Sequence, residues 1–205
     1  VAIDEPAAVG NGEVKARVAA HEAAGGVWPR DPDGAALYPT EERTLDRDRA
    51  MALIAAGRQH AWRLDMDKAR ALAPRVLDWS EAGMGPAGET GTVAAAPELW
   101  GDVILSRPDA PASYHLAVVL DDAEQAVTDV VRGQDLFYAT AVHRLLQSLL
   151  DLPVPAYRHH AVLPGPDGRK LSKSNQDTGI AAFREKGVSP AGIRALLAGY
   201  GLVPH

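Results

Sequence analysis

The sequence predicts an α/β fold, and three observations in its second half support that prediction. Val103-Ile104-Leu105 and Leu116–Leu120 are continuous apolar runs, which are typical of buried parallel strands. Residues 140–150 place apolar side chains at helical spacing, and predicted strands at Val127–Val131 and Tyr157–Leu163 lie on either side. A strand–helix–strand order of this length predicts a right-handed crossover in a parallel sheet.

We therefore interpret residues 95–174 as the second half of a Rossmann-like nucleotide fold, preceded by a smaller α+β insertion. The predicted domain boundary follows residue 94. Residues 1–94 would form the insertion or connecting region, irregular at its start. Residues 95–205 would form the Rossmann-like half, together with a lysine-containing loop and two terminal helices.

The remaining elements follow from composition and from turn residues. Residues 1–11 lack a period and contain Pro and Gly, which predicts an irregular start. The alternation in His60–Met66 predicts a half-buried strand, and the four glycines of residues 83–91 predict turns. Helices are predicted over Gly12–Ala24, Asp46–Ala56, Thr178–Lys186 and Pro190–Ala198, the last capped by Ser189, with a loop at Trp28–Thr40.

Composition narrows the class of protein. The 205 residues suit one domain, or one domain with a small insertion, and the 46% apolar content is enough for a core. The net charge of −6 argues mildly against nucleic-acid binding, although a basic face can lie on an acidic protein. The chain has no cysteine, which excludes disulfides and thiolate metal sites. No apolar run of membrane-spanning length and no signal peptide are visible, so we expect a cytoplasmic protein.

The most informative stretch is Gly168–Ser174, which follows a Pro166-Asp167-Gly168 turn and carries Lys170, Ser172, Lys173 and Ser174. Lysine ammonium groups act as point charges on phosphate, and hydroxyl and backbone N–H groups add hydrogen bonds. A loop with these groups suits a polyanion whose charge rearranges during a reaction. A solvated basic loop would have the same composition, and the spacing alone leaves both interpretations open.

Neighbouring motifs favour the first interpretation. Lys170–Ser174 resembles the Lys-Met-Ser-Lys-Ser signature of class I aminoacyl-tRNA synthetases. Upstream, Ser113–Asp122 and then Val130–Asp135 resemble the Tyr-x-Leu-Ala-Val-Val-x-Asp-Asp and Val-x-Arg-Gly-x-Asp runs of the glutamate-specific branch. Three motifs in the right order are far more specific than one, and the resemblance extends from about residue 57 to residue 202.

The resemblance implies a substrate for each motif. Tyr114 and Arg132 would bind glutamate, and the lysine loop would act on ATP, which the family uses with Mg²⁺. Independently of the resemblance, a helix or loop could present Gln134 and Asp135 toward a nucleotide, and Asp135 would orient Arg132 through a local hydrogen bond. By this resemblance Lys170 and Lys173 are catalytic, and Lys173, Ser172 and Ser174 bind ATP. Judged from the residues alone, Tyr114 would be a packing residue and Arg132 a surface ion pair.

Other candidate residues have simpler interpretations. Asp121-Asp122 would end a strand in water or hold a metal or ribose, and we favour the former for Asp121. His159-His160 would face opposite sides of a strand, one toward the nucleotide. His143, on a helix without a carboxylate at ligand spacing, would be structural.

The chain departs from the family pattern in two places. It lacks the His-x-Gly-His signature, so it resembles a family member without the first nucleotide-binding half, and we expect this chain alone to activate glutamate poorly. Relatives hold a zinc ion through cysteines; here Tyr38–Arg43 matches one such segment with Glu42 at the cysteine position. We therefore expect no structural zinc and no other metal site.

The chain ends about two helices after the lysine loop, which resembles the short glutamyl-queuosine tRNA(Asp) synthetase branch. That branch attaches glutamate to the queuosine base of tRNA(Asp). The expected partners are therefore L-glutamate, ATP and queuosine-bearing tRNA(Asp), with no membrane, and we expect a monomer. Two alternatives remain: a fragment of an ordinary glutamyl-tRNA synthetase, or a synthetase-like module that binds without turnover.

Overall fold

A computed structural model of the chain describes residues 3–7, 11–39, 47–57, 60–163 and 179–198. Two sheets organise these residues: one of three strands and one of four strands. The strands are β1 Ile3–Ala7, β2 Ala61–Leu64, β3 Asp78–Glu81, β4 Gly91–Ala94, β5 Ile104–Ser106, β6 Asp129–Gly133 and β7 Ala156–His160. The helices are α1 Asn11–Ala23, α2 Arg47–Ala55, α3 Met66–Leu72, α4 Tyr114–Glu124, α5 Thr140–Leu149, α6 Ile180–Glu185 and α7 Pro190–Ala198.

The four-stranded sheet has the order β4-β3-β7-β6. Its strands β3, β7 and β6 are parallel, and β4 closes one edge as the antiparallel partner of β3. Arg132 lies opposite His159 in the β6–β7 register. The carboxyl ends of three parallel strands therefore meet at one edge of this sheet, which is where ligands of open α/β sheets bind.

The main core joins the three-stranded sheet to helices α3, α4 and α5. Helix α5 contributes most to it, with Val142 and Leu145 fully buried, because its apolar residues repeat at helical spacing. A second cluster joins Trp79, Phe137 and Tyr157 beneath the ends of the parallel strands. The close packing of this cluster restricts the movement of the side chains at those ends.

The crossover β6–α5–β7 confirms the predicted strand–helix–strand unit, with slightly different bounds. The predicted helices at residues 12–24, 46–56 and 190–198 are also confirmed within a residue of their ends. The Ser189 cap is present, since Ser189 Oγ accepts from the Gly192 N–H at 3.2 Å. Thr178, at the start of the other predicted helix, lies outside the described residues, and that helix runs from Ile180 to Glu185.

The prediction of a strand at Leu116–Leu120 was wrong, because the segment lies within helix α4. Ser113 caps this helix with extended backbone, and its Oγ accepts from the Leu116 N–H at 3.3 Å. The apolar run is not buried on both sides, as a parallel strand would be: Val119 is buried whereas Leu120 is exposed. The cap and one-sided packing outweigh the β-propensity of the two valines.

Two further predictions need correction, one about a strand and one about the start of the chain. Residues 103–105 do contain a strand, β5, but it pairs antiparallel with β2 in the three-stranded sheet and takes no part in the parallel one. The start of the chain is not irregular throughout, since β1 pairs antiparallel with β2 at the sheet edge. Pro6 is compatible with that strand because β1 is an edge and its register shifts between Asp4 and Ala7.

Besides β1, helix α3 and strands β3 and β4 have no counterpart in the sequence predictions. Met66 begins helix α3 and does not continue a strand, since Asp65 caps the helix by accepting from the Lys68 N–H at 3.0 Å. Strands β3 and β4 form a hairpin around the predicted glycine-rich turns. Both strands precede residue 95 yet share the sheet with β6 and β7, and the domain division after residue 94 stays a prediction. None of the helices in the described ranges is both long and apolar enough to cross a membrane.

Candidate active site at the carboxyl ends of the parallel strands

Arg132, near the end of β6, is the centre of the candidate site. Its Nε donates to His159 Nε2 at 3.0 Å, and its Nη1 lies 3.2 Å from His143 Nδ1. Its Nη2 donates to Thr140 Oγ1 at 2.7 Å and to the Leu136 carbonyl at 3.3 Å. All three nitrogens of the guanidinium are thus held by acceptors that carry no formal charge, which fixes the plane of the group.

A buried carboxylate stands behind this arginine. Glu81 ends β3 and is 2% exposed, and its Oε2 lies 2.6 Å from His159 Nδ1. Its Oε1 accepts the backbone N–H groups of His159 and Gly83, both at 2.8 Å. Glu81 is therefore linked to Arg132 by hydrogen bonds through the His159 ring.

Gly83 makes the approach of β3 to β7 possible. A Cβ on Gly83 would overlap the His159 backbone, with His159 N at 2.7 Å. The Ala82 N–H also donates to the Tyr157 carbonyl at 2.7 Å, which continues the contact between the two strands. A glycine is needed here for close packing rather than for a special backbone angle.

On the other side of Arg132, two histidines connect the site to helix α4. His143 Nε2 lies 3.1 Å from His115 Nδ1. Tyr114, the first residue of α4, packs edge-on against both rings, with centroid distances of 5.7 Å to His143 and 5.8 Å to His115. Tyr114 and Arg132, both predicted to bind glutamate, are therefore brought together around His143.

The proton positions in this network follow from the arginine, which can only donate. His143 Nδ1 and His159 Nε2 must both accept from Arg132, so each ring carries its proton on the other nitrogen. His143 then donates from Nε2 to His115, and His159 donates from Nδ1 to Glu81. All three imidazoles are consequently neutral, with a lone pair of His143 and of His159 directed at the guanidinium.

The pKa values agree with this assignment. Burial, reinforced by the charge of Arg132 and the neighbouring histidines, lowers the pKa of His143 to about 2. Burial and then Arg132 also lower the pKa of His115, and burial lowers that of His159 although Glu81 opposes the shift. Burial tends to raise the pKa of Glu81, but hydrogen bonds from His159 and Gly83 outweigh it and lower that pKa overall.

The other predicted site residues lie around this network or outside the described residues. Tyr114 is 49% exposed, so part of the residue is open to solvent. Gln134 donates to the Met84 carbonyl at 2.8 Å and ties its turn to the β3–β4 connection. Asp135 is exposed in the same 3₁₀ turn, and the roles predicted for both residues stay predictions. Lys170, Ser172, Lys173 and Ser174 lie outside the described residues, as does Glu42.

Among the other candidate residues, some predictions from the sequence were wrong and others were right. Asp121 and Asp122 do not end a strand: they lie in α4, where Asp121 is exposed and burial raises the pKa of Asp122 against the opposing effect of Arg132. His159 is buried and His160 exposed, as the alternation predicted. His143 is more than a packing residue, because it joins Arg132 to His115.

Comparison with known proteins identifies the family. A sequence model described as tRNA synthetases class I (E and Q), catalytic domain, matches residues 88–205, more than half of the chain. The chain belongs to this family. A glutamyl-Q tRNA(Asp) synthetase of Rhodobacter capsulatus is 42% identical over 173 residues, which cover 82% of this chain and 58% of that protein. The predicted resemblance to that branch is thereby confirmed.

Other relatives are glutamate–tRNA ligases. A glutamate–tRNA ligase of a Synechococcus species is 35% identical over 159 residues, 75% of this chain and 31% of that protein. The crystal structure of a glutamate tRNA ligase from Elizabethkingia meningosepticum, in complex with its amino acid, superposes with a TM-score of 0.63 at 22% identity. It covers 86% of this chain and 33% of its own, and it confirms the class I synthetase fold. The chain therefore spans only about half or less of these relatives' lengths.

Proposed function

We propose that the protein activates L-glutamate with ATP and transfers the glutamyl group to the queuosine base of tRNA(Asp). Family membership supports glutamyl-tRNA synthetase-type chemistry, and the 42% identity to a glutamyl-Q tRNA(Asp) synthetase favours the queuosine branch. The observation that carries the proposal is the state of Arg132. It is a half-buried cation at the carboxyl ends of parallel strands, and its hydrogen bonds within the described part of the chain all go to uncharged acceptors.

A cation in this state favours a carboxylate ligand. Two imidazoles, a hydroxyl and a carbonyl orient the guanidinium without neutralising it. The neighbouring carboxylate of Asp122 acts on Arg132 through its charge, and the charge of Glu81 lies beyond His159. A carboxylate of glutamate would complete the arginine's charge pairing, and charge-assisted bonds of this kind are about twice as strong as neutral ones.

Tyr114 would complete the amino acid site. Its ring lies against His143 and the residue is half exposed, so Tyr114 would be open to a ligand held by Arg132. A phenol both donates and accepts a hydrogen bond, which suits the amino or carboxyl group of an amino acid. The pair would therefore fix the substrate at two points.

The reaction proposed has two steps. A carboxylate oxygen of glutamate attacks the α-phosphorus of ATP, the bond to the bridging oxygen breaks, and pyrophosphate leaves with that bond's electron pair. A hydroxyl of the queuosine base then attacks the glutamyl carbonyl, loses its proton, and AMP leaves. Lys170 and Lys173 would stabilise the charge that moves onto the pyrophosphate.

No step of the proposed reaction is assigned to a metal ion held by the protein. Within the described ranges there is no group of three or more His, Cys, Asp or Glu residues that could hold one. Mg²⁺ would arrive on the phosphates of ATP, as is usual for nucleotide substrates.

The experiment measures both steps on the full-length protein. Glutamate-dependent exchange of pyrophosphate into ATP tests activation, and labelled glutamate then tests transfer to tRNA(Asp) with and without queuosine. We expect exchange, and transfer only to the queuosine-bearing tRNA. Transfer to tRNA(Glu) would identify an ordinary glutamyl-tRNA synthetase, and absence of exchange would identify a binding module without turnover.

A further inference from the structure

The buried carboxylate of Glu81 accepts four hydrogen bonds. Its Oε1 accepts two backbone N–H groups at 2.8 Å, and its Oε2 accepts from His159 Nδ1 and from Trp79 Nε1, the latter at 3.3 Å. Four donors converge on a group that is 2% exposed. Such a site keeps the carboxylate ionised and leaves its orientation no freedom.

An ionised carboxylate can only accept hydrogen bonds, and this decides the state of the ring beside it. His159 must present its proton to Glu81 at Nδ1, so its Nε2 is left as a lone pair. That lone pair receives the single Nε–H of Arg132 at 3.0 Å. Glu81 thus fixes the proton of His159 on Nδ1, and Arg132 donates to the unprotonated Nε2.

We propose that Glu81 and His159 are positioning residues for Arg132: the carboxylate fixes the His159 tautomer, and the tautomer fixes the direction of the guanidinium. The consequence of this positioning for catalysis rests on the proposed function, in which Arg132 binds a carboxylate of glutamate. Neither residue would touch the substrate. Both would act by holding Arg132 Nη1, which contacts His143, toward the Tyr114 side of the site.

Replacement of Glu81 by Gln tests the proposal with almost no change of shape. The two backbone N–H groups would retain the amide oxygen, so the amide nitrogen would face His159 Nδ1. His159 would then accept there and carry its proton on Nε2, directly against the Arg132 Nε–H. Two donors would face each other, and the arginine would lose this contact.

The first readout needs no substrate. Nitrogen–proton correlation spectra of the imidazoles report which His159 nitrogen is protonated, and the Arg132 Nε–H resonance reports its partner. We expect Nδ1–H in the parent chain and Nε2–H in Glu81→Gln, with a shifted Arg132 signal. An unchanged tautomer, or an unchanged Arg132 signal, would overturn the proposal. Glu89→Gln is the matched control, because Glu89 lies in the same hairpin and its carboxylate accepts from the Ala87 N–H at 2.8 Å, away from His159 and Arg132.

The second readout is the Michaelis constant in pyrophosphate exchange by the full-length protein. Glu81→Gln should raise the value for glutamate at least about tenfold, the effect of one lost bond to a charged group, and leave the value for ATP unchanged. Equal effects on both substrates would show a merely structural role and overturn the proposal. If the parent protein shows no glutamate-dependent exchange, the proposed function fails, and the spectra alone still decide whether Glu81 positions Arg132.

Rescue provides the last test, and it also covers the case in which Glu81→Gln does not fold. In His159→Gln an amide oxygen replaces the Nε2 lone pair and can accept from Arg132 whatever occupies position 81. The double variant Glu81→Gln/His159→Gln should therefore recover the Arg132 signal and most of the glutamate affinity. His159→Leu, whose side chain has no acceptor, should lose the Arg132 signal and the glutamate affinity, whereas His159→Gln should keep both. Equal behaviour of these two variants would overturn the proposal.

Discussion

Arg132 and His159 lie opposite each other on neighbouring parallel strands, and the Nε–H of the arginine donates to the Nε2 of the histidine at 3.0 Å. The hydrogen bond runs between side chains on the same face of the sheet, at the edge where the strands end. Because each partner is also held by its own strand, the direction of the guanidinium depends on the sheet register and not on a flexible loop. This relationship leads to the first prediction.

Arg132→Ala should raise the Michaelis constant for glutamate far more than that for ATP, because it removes a contact made in the ground state. Arg132→Lys should behave similarly, since an ammonium cannot reproduce a fork that engages His159, His143 and Thr140 at once. Pyrophosphate exchange with each substrate varied in turn measures both values. Arg158→Ala, an exposed arginine on the adjacent strand, is the control and should be unaffected. Equal changes for ATP and glutamate would contradict the role given to Arg132.

Lys173→Ala should lower the rate of glutamate activation by about 10²-fold and weaken substrate binding much less. The resemblance to the class I signature places this lysine on ATP phosphate, where its charge acts mainly in the transition state. Single-turnover formation of pyrophosphate by the full-length protein separates rate from affinity. Lys186→Ala, at the end of α6, is a control of the same charge. Near-normal turnover of the Lys173 variant would refute the assignment.

Acid should destabilise the fold through the three neutral histidines. Their pKa values are lower in the folded chain than in the unfolded one, to about 2 for His143. Below about pH 6.5 the unfolded chain binds protons that the folded chain does not, so stability rises with pH up to that point and then levels off. The lowered pKa of Glu81 adds a further loss of stability at more acidic pH, below its unfolded value.

Urea unfolding between pH 5 and pH 8 measures this effect. His143→Gln removes one titrating group, so below pH 6 its free energy of unfolding should depend on pH less steeply, by about 1.4 kcal/mol per pH unit. His60→Gln is the control, because His60 lies outside the site, packed against Trp62. Parallel pH profiles for the parent and His143→Gln would show that His143 is not held neutral.

Gly83→Ala should destabilise the fold by at least about 1–3 kcal/mol, the usual cost of forcing a methyl group into a packed region. The added carbon would meet backbone atoms of His159, which cannot move without separating β3 from β7. Gly179→Ala is the comparison, because nothing lies within 4 Å of a Cβ there and its φ is −80°. Thermal melting of both variants is sufficient; equal melting temperatures would contradict the close approach described here.

Zinc should not contribute to stability, because the chain has no cysteine. Elemental analysis after dialysis against a chelator should find less than one zinc per chain, and the melting temperature should not move. Stoichiometric zinc with loss of structure on chelation would contradict this expectation.

Sequence reasoning succeeded where a periodic signal was strong and failed where a cap or a pairing partner decided the structure. Helix α5 was predictable because its buried residues repeat at helical spacing. Residues 116–120 were not, because their β-branched run looks like a strand unless the Ser113 cap is recognised. Strand β5 was placed correctly but assigned to the wrong sheet, since its partner lies about 40 residues away in the chain.

The candidate site shows the same division. Tyr114 and Arg132 were found only through the family motifs, because neither residue stands out by composition. Glu81 gave no signal at all: it is one carboxylate at the end of a four-residue strand, and its importance depends on a contact with His159 across 78 positions. His143 was undervalued because its partners are an arginine and another histidine, and spacing rules search for carboxylates.

The separation of 78 residues between Glu81 and His159 also concerns the order of folding. Helices and the β3–β4 hairpin can form from local contacts, but the arginine network needs three distant segments to have paired, and pairings over such separations form late. We therefore expect the network to form only after β3, β6 and β7 have paired. Amide exchange at His159, whose N–H is bound by Glu81, should require unfolding of the whole sheet, so this one amide can report the global stability of the molecule.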